Sequence, residues 1–64
     1  MTTTKQLIEE TEQFTGKNTV KSACTTGFLM VEMTTNELAQ QVAKVWIEAN
    51  KMKVEILNNK VYAF

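Results

Sequence analysis

Sixty-four residues carry seven lysines and seven glutamates but no histidine, aspartate, arginine or proline. Catalytic triads, multi-ligand metal sites and bidentate arginine clamps therefore lack raw material, and the chain reads as a non-enzyme without metal or cofactor. A formal net charge of zero supplies no field to steer duplex nucleic acid or anionic lipid, so another protein is the expected partner, nucleic acid is disfavoured and no membrane is expected.

With 44% hydrophobic and 22% charged residues, the composition is that of one ordered domain spanning 1–64. Its longest apolar run is Phe28-Leu29-Met30-Val31, far short of the roughly 20 residues that cross a bilayer. The Thr-rich start lacks the basic and apolar regions of a leader. Cys24 is the single cysteine, which precludes an internal disulfide and fits a reducing cytoplasm. A domain of this size hides only about 60% of its unfolded surface, so a homodimer or a dedicated partner is expected.

Thr3 and Gln6 form a capping-box pattern, and Leu7, Ile8, Thr11 and Phe14 recur at helical spacing. The first helix is expected over about 4–14, stopped by Gly16 and turned onward by Lys17-Asn18. From Val20 to Cys24 and from Phe28 to Met33 the pattern predicts two strands, with Gly27 in a left-handed slot of the short loop between them. The apolar run of the second strand implies burial on both faces and a central place in the sheet.

Thr34 and Glu37 repeat the capping box. Behind them Leu38, Val42, Val45, Trp46 and Ala49 mark the inner stripe of a helix reaching about residue 50. Glu37, Gln40, Gln41, Lys44, Glu48 and Lys51 lie opposite, Glu48 and Lys51 close enough to pair, with Ile47 outside the stripe. The remaining residues predict a hairpin of two registers. A type I turn at Leu57-Asn58-Asn59, closed by a left-handed Asn59, sends Met52, Val54, Ile56, Tyr62 and Phe64 inward; this register hides both aromatics and is preferred. A two-residue Asn58-Asn59 turn instead points Ile56 and Val61 inward and exposes Tyr62 and Phe64. The sum is a small single α+β domain, α-β-β-α-β-β, with a mostly antiparallel sheet and helices on one face.

Cys24 has no histidine to activate it and reads as a packed small residue. Gly16-Lys17-Asn18-Thr19 lacks the first glycine of a phosphate-binding loop. Glu9, Glu10 and Glu12 fall on a solvated helix face, where no carboxylate pair is tuned for acid–base work. Met30, Met33 and Met52 fit gap-filling in a small core better than the lining of a groove.

Glu9 to Phe14, the Gly16 turn and Thr19-Val20-Lys21-Ser22-Ala23 resemble a helix-turn-helix, with Lys51, Lys53 and Lys60 on a following hairpin as a wing. The resemblance implies a DNA-binding regulator using Lys17, Asn18, Lys21, Ser22 and Lys53, although no arginine is present to read guanine. Residues 19–25 discriminate: a helix supports this alternative and a strand removes it.

The preferred reading is a small protein-binding module, an adaptor or inhibitor acting by surface contact or strand addition. Its size and architecture resemble those of bacteriophage and mobile-element accessory proteins that occlude host enzymes, an association with no motif behind it. Its contact residues are expected on the second helix, at Ala43, Lys44, Ile47, Glu48 and Lys51, or on the strand Lys60 to Phe64 through Lys60, Tyr62 and Phe64. That strand is expected at a sheet edge, open to a second copy or a target.

Overall fold

In a computed structural model that describes residues 3–49 and 53–64, the chain runs α1 (Thr4–Thr15), β1 (Val20–Cys24), β2 (Leu29–Met33), α2 (Asn36–Glu48), β3 (Val54–Leu57) and β4 (Lys60–Ala63). This is the expected α-β-β-α-β-β order, and every strand pairing is antiparallel in a sheet ordered β1-β2-β4-β3. An α-β-β unit thus occurs twice, and the two hairpins meet along β2 and β4, where Val31 pairs with Val61. Helix α1 packs on β1, while α2 spans β4, β3 and β2.

Helix α1 starts where its capping box requires. Gln6 N–H donates to Thr3 Oγ1 at 3.1 Å, and Thr3 N–H donates back to Gln6 Oε1 at 3.0 Å, satisfying two donors that the first turn leaves free. Leu7 and Thr11 are buried; the Thr11 hydroxyl donates to the Leu7 carbonyl at 2.7 Å, so its burial strands no polar group. The expected stripe is narrower than its pattern, because Phe14 is exposed and α1 has only the edge strand β1 beneath it. At the far end Gly16 adopts φ +105°, a value that suits glycine, and its N–H donates to the Glu12 carbonyl at 2.9 Å.

Helix α2 is capped one residue later than expected. Thr34 N–H donates to the Thr19 carbonyl at 2.9 Å, extending the β1–β2 ladder, so Thr34 stays with the sheet. Thr35 Oγ1 instead accepts from Leu38 N–H at 3.1 Å. Ala39, Val42, Ala43 and Trp46 are buried, whereas Val45 and Ala49 are exposed. The inner stripe is therefore rotated toward two alanines, whose small side chains let the helix lie close on the sheet.

Strand β2 is central as expected, between β1 and β4, but only one of its faces is covered. Val31 and Met33 are fully buried against the helices, while Met30 and Glu32, which alternate with them, are only half-buried on the other side. Gly27 takes the expected left-handed conformation, φ +78°, in the loop before β2. A bulge interrupts β1 between Val20 and Ser22. Because residues 20–24 form a strand, the helix-turn-helix arrangement does not form, and with it goes the geometry that would have presented Lys17, Asn18, Lys21 and Ser22 to a groove.

The C-terminal hairpin holds the register that the sequence reading placed second. Pairs Leu57–Lys60, Ile56–Val61, Glu55–Tyr62 and Val54–Ala63 leave a two-residue turn, Asn58-Asn59. Val61 and Ala63 are buried, and Tyr62 and Phe64 point away from the helices. The left-handed residue is Asn58, φ +57°, in place of the expected Asn59. Asn59 is occupied elsewhere: its carbonyl accepts from Met33 N–H at 2.7 Å and its Nδ2 donates to the Met33 carbonyl at 2.7 Å. These bonds tie the turn to β2 and fix the parity of every following side chain. Strand β4 is also internal, so the expected edge at Lys60 to Phe64 is replaced by edges at β1 and β3. Lys51 and Met52 lie outside the described residues, and with them the expected Glu48–Lys51 pair and the inward Met52.

Leu7, Val31, Met33, Ala39, Val42, Ala43, Trp46, Val61 and Ala63 form one core between helices and sheet. Each larger member contributes about 1.5–3 kcal/mol by leaving water.

Candidate functional site

The helices cover one face of the sheet, and the alternation of the strands dictates what the other face shows. At one end Phe28 precedes β2 and Phe64 follows β4, one residue beyond the Leu29–Ala63 pair. Phe64 N–H donates to the Lys53 carbonyl at 2.9 Å, which carries the β3–β4 ladder to Lys53. In the next row Cys24, Met30, Tyr62 and Glu55 follow one another across the four strands, and Ser22, Glu32, Lys60 and Leu57 form the row after that.

The first two rows are mostly apolar and aromatic. The rings of Phe28 and Tyr62 lie 5.9 Å apart between centroids, inclined at 38°, a spacing at which tilted aromatic pairs attract. Lys53 Nζ sits 5.4 Å from the centroid of the Phe64 ring and 3.7 Å from Glu55 Oε1. Phe28 is 40% exposed, Phe64 50% and Leu57 60%. Phe28 and Phe64, flanking the half-buried Tyr62, make this the aromatic part of the bare face.

The third row is polar except for the exposed Leu57 at its β3 end. Ser22 Oγ donates to Glu32 Oε1 at 3.0 Å and Asn59 Nδ2 donates to Glu32 Oε2 at 3.4 Å. The Ser22 hydrogen bond, followed by that from Asn59 and the positive charges of Lys21 and Lys60, holds the Glu32 carboxyl below its ordinary pKa. Glu32 thus faces both lysines of this end, as Glu55 faces Lys53 at the other.

Of the contact residues expected from sequence, Lys60, Tyr62 and Phe64 meet on this face. Lys44, Ile47 and Glu48 are exposed on α2, across the sheet from it. Ala43 is 4% exposed within the core and offers no surface, because α2 turns its alanines toward the strands. Lys51 lies outside the described residues. Phe28 and Leu57 belong to the site and were missed, and Met30, assigned to the core in preference to a groove, belongs to it as well. The signal for Phe28 and Met30 was the alternation inside Phe28-Leu29-Met30-Val31, which a continuous apolar run conceals.

The residues of the nucleic-acid alternative are dispersed between the turn after α1, strand β1 and the residue before β3 at the opposite edge of the sheet. Lys17 and Asn18 lie in the turn after α1, where Asn18 N–H donates to Glu12 Oε2 at 3.0 Å. Ser22 is bound to Glu32, and Lys53 to Glu55. Cys24 is half-buried and opposite Met30. Between α1 and α2 a shallow open depression is lined by Phe14, Gln41, Lys44, Val45 and Glu48.

Among the described residues no three metal-ligating side chains gather, and no helix is long and apolar enough to cross a membrane. No protein-family model, curated protein or solved structure matches this chain.

Proposed function

We propose that this chain is a non-catalytic protein-binding module, an adaptor or an occluding inhibitor, whose contact surface is the sheet face that its helices leave bare. The observation behind this reading is the grouping of Phe28, Met30, Tyr62 and Phe64 on that face, flanked by the Lys53–Glu55 pair and the Glu32 cluster. An aromatic centre with a polar border is the anatomy of protein interfaces, in which a few aromatic anchors carry most of the affinity. The partner is a protein presenting an apolar patch of matching size. The lack of histidine, aspartate and arginine in the sequence supports action by contact.

The same aromatic group could stack nucleobases, since single-strand binders use aromatic residues on a sheet. Charge argues against that use. Lys21 and Lys60 act on Glu32, and Lys53 pairs with Glu55, so three lysines stand beside two carboxylates and the face carries too little net positive charge to hold a phosphate backbone.

The test compares what tagged wild-type chain, Phe64→Ser and Glu48→Ser, an exposed position on α2, retain from a lysate of the source organism. A stoichiometric partner kept by wild type and Glu48→Ser but lost by Phe64→Ser supports the reading. Equal retention by Phe64→Ser refutes the assignment of the face. Binding of a fluorescent single-stranded oligonucleotide at low salt, abolished in Phe64→Ser, would establish the stacking use instead.

A further inference from the structure

The two edges of the sheet differ in how they are protected. On β1 the bulge between Val20 and Ser22 breaks the regular ladder, and the exposed Lys21 lies within it; bulges and lysines are the usual devices that keep an edge from pairing. Strand β3 pairs with β4 residue for residue with no such irregularity. Its Lys53 and Glu55 alternate onto the bare sheet face, so β3 carries charged side chains beside its edge but no bulge to break the ladder.

The backbone of that edge can be read from one hydrogen bond. Phe64 N–H donates to the Lys53 carbonyl, so Lys53–Phe64 is a hydrogen-bonded pair, and by alternation so are Glu55–Tyr62 and Leu57–Lys60. The N–H and C=O groups of Val54 and Ile56 consequently point outward. Ile56, 44% exposed, faces the helix side with Val61.

Above this edge lies an uncharged flank of α2. The depression lined by Phe14 also takes Gln41, Lys44, Val45 and Glu48, so these α2 residues lie on the α1 side and top of the helix. The opposite flank, at helical spacing, is Asn36, Gln40 and Ile47. Because α1 stands over β1 and α2 over β4 and β3, this flank overhangs the outer edge of β3. Ile47 is 62% exposed there, and none of the three is charged.

We infer that β3 and this flank of α2 form the interface of a homodimer, in which β3 pairs antiparallel with β3 of a second copy and the two sheets join into one of eight strands. A second copy fits because the wall complements itself: outward donors and acceptors on the strand, and apolar Ile56 and Ile47 that meet their own mates across a two-fold axis. The register follows from charge. Centring the pair on Glu55 sets two carboxylates directly opposite, whereas centring it on Ile56 pairs Ile56 with its mate and places Glu55 across from Leu57.

A specific interface buries roughly 1,000 Å² or more in total, so each copy must contribute on the order of 500 Å², about a ninth of its 4399 Å² of accessible surface. The inference goes beyond the protein-binding reading, which concerns the bare face, and it stands if that reading fails. Dimerisation would set two aromatic patches side by side on one continuous sheet and make any contact through them bivalent.

Sedimentation velocity from about 5 to about 500 μM tests it. The expected result is a rise from 7.3 kDa to twice that mass. Ile56→Lys and, separately, Ile47→Lys should weaken the dimer at least ~10-fold, with circular dichroism showing both folded. Since Ile47 is largely exposed, its variant keeps the test usable if Ile56→Lys unfolds. Phe64→Lys should dimerise as wild type does. A monomer at every concentration overturns the inference, as does a dimer lost in Phe64→Lys and kept in Ile47→Lys, which would place the contact on the bare face.

Discussion

The register of the C-terminal hairpin determines which side chains are free to bind, and it can be tested by stability alone. Val61 is fully buried, paired with Val31 at the centre of the sheet, whereas Phe64 is 50% exposed on the other face. Val61→Ala removes the equivalent of two methylene groups, about 1.6 kcal/mol of transfer free energy, and the cavity left in a close-packed core raises the cost to about 2–3 kcal/mol. Phe64→Ala loses a larger side chain but only the buried half of it, together with the Lys53 contact, for about 1 kcal/mol. A chain of this length has a total stability of only about 3–10 kcal/mol, so Val61→Ala should lower Tm by roughly 10–20 °C and Phe64→Ala by no more than about 8 °C. Urea and thermal melts followed by circular dichroism measure both. If Phe64→Ala proves the more damaging, the hairpin holds the other register and the bare aromatic face does not exist.

Three further outcomes follow from local geometry. Thr35→Ala should cost about 1 kcal/mol because Leu38 N–H loses its cap, whereas Thr34→Ala, whose sheet bond is made by backbone, should change the urea midpoint little. Asn58→Gly should raise the midpoint and Asn58→Val lower it, since φ +57° strains a β-branched residue and not glycine; the reverse order would contradict the two-residue turn. The Glu32 carboxyl is held below its ordinary pKa chiefly by Ser22, so its contribution is fully present above about pH 4.3, the unfolded value, and disappears as pH falls through the lower folded value. Glu32→Gln should therefore flatten the acid limb of a stability-against-pH curve, and an unchanged slope would show that the Ser22–Glu32–Asn59 cluster contributes nothing.

How much of this was legible in the chain varies with the range of the interaction responsible. The α1 cap at Thr3 and Gln6, the Gly16 stop and the left-handed Gly27 were readable because each depends on residues only a few positions apart. The α2 cap was misplaced by one residue because Thr34 is retained by Thr19, a partner across the sheet. Phe14 and Val45 follow helical spacing yet stay exposed, since α2 turns Ala39 and Ala43 toward the strands and Val45 away from them, into the open depression it shares with Phe14. Within the site, Tyr62 and Phe64 were named as contact residues although the preferred register buried them. Phe28 was passed over and Met30 assigned to the core because an unbroken apolar run does not reveal that only alternate members meet the core.

Composition and periodicity settled the element order, the antiparallel class and the poverty of reactive groups, since these follow from local propensity and from which residue types are present. The order β1-β2-β4-β3, the parity of β4 and the edge position of β3 were decided by long-range contacts such as Met33 with Asn59 and Val31 with Val61. A strand repeats every two residues, so shifting the pairing by one exchanges core for surface at no cost that the hairpin's own sequence can register. Only the rest of the sheet, and the helices above it, distinguish the two.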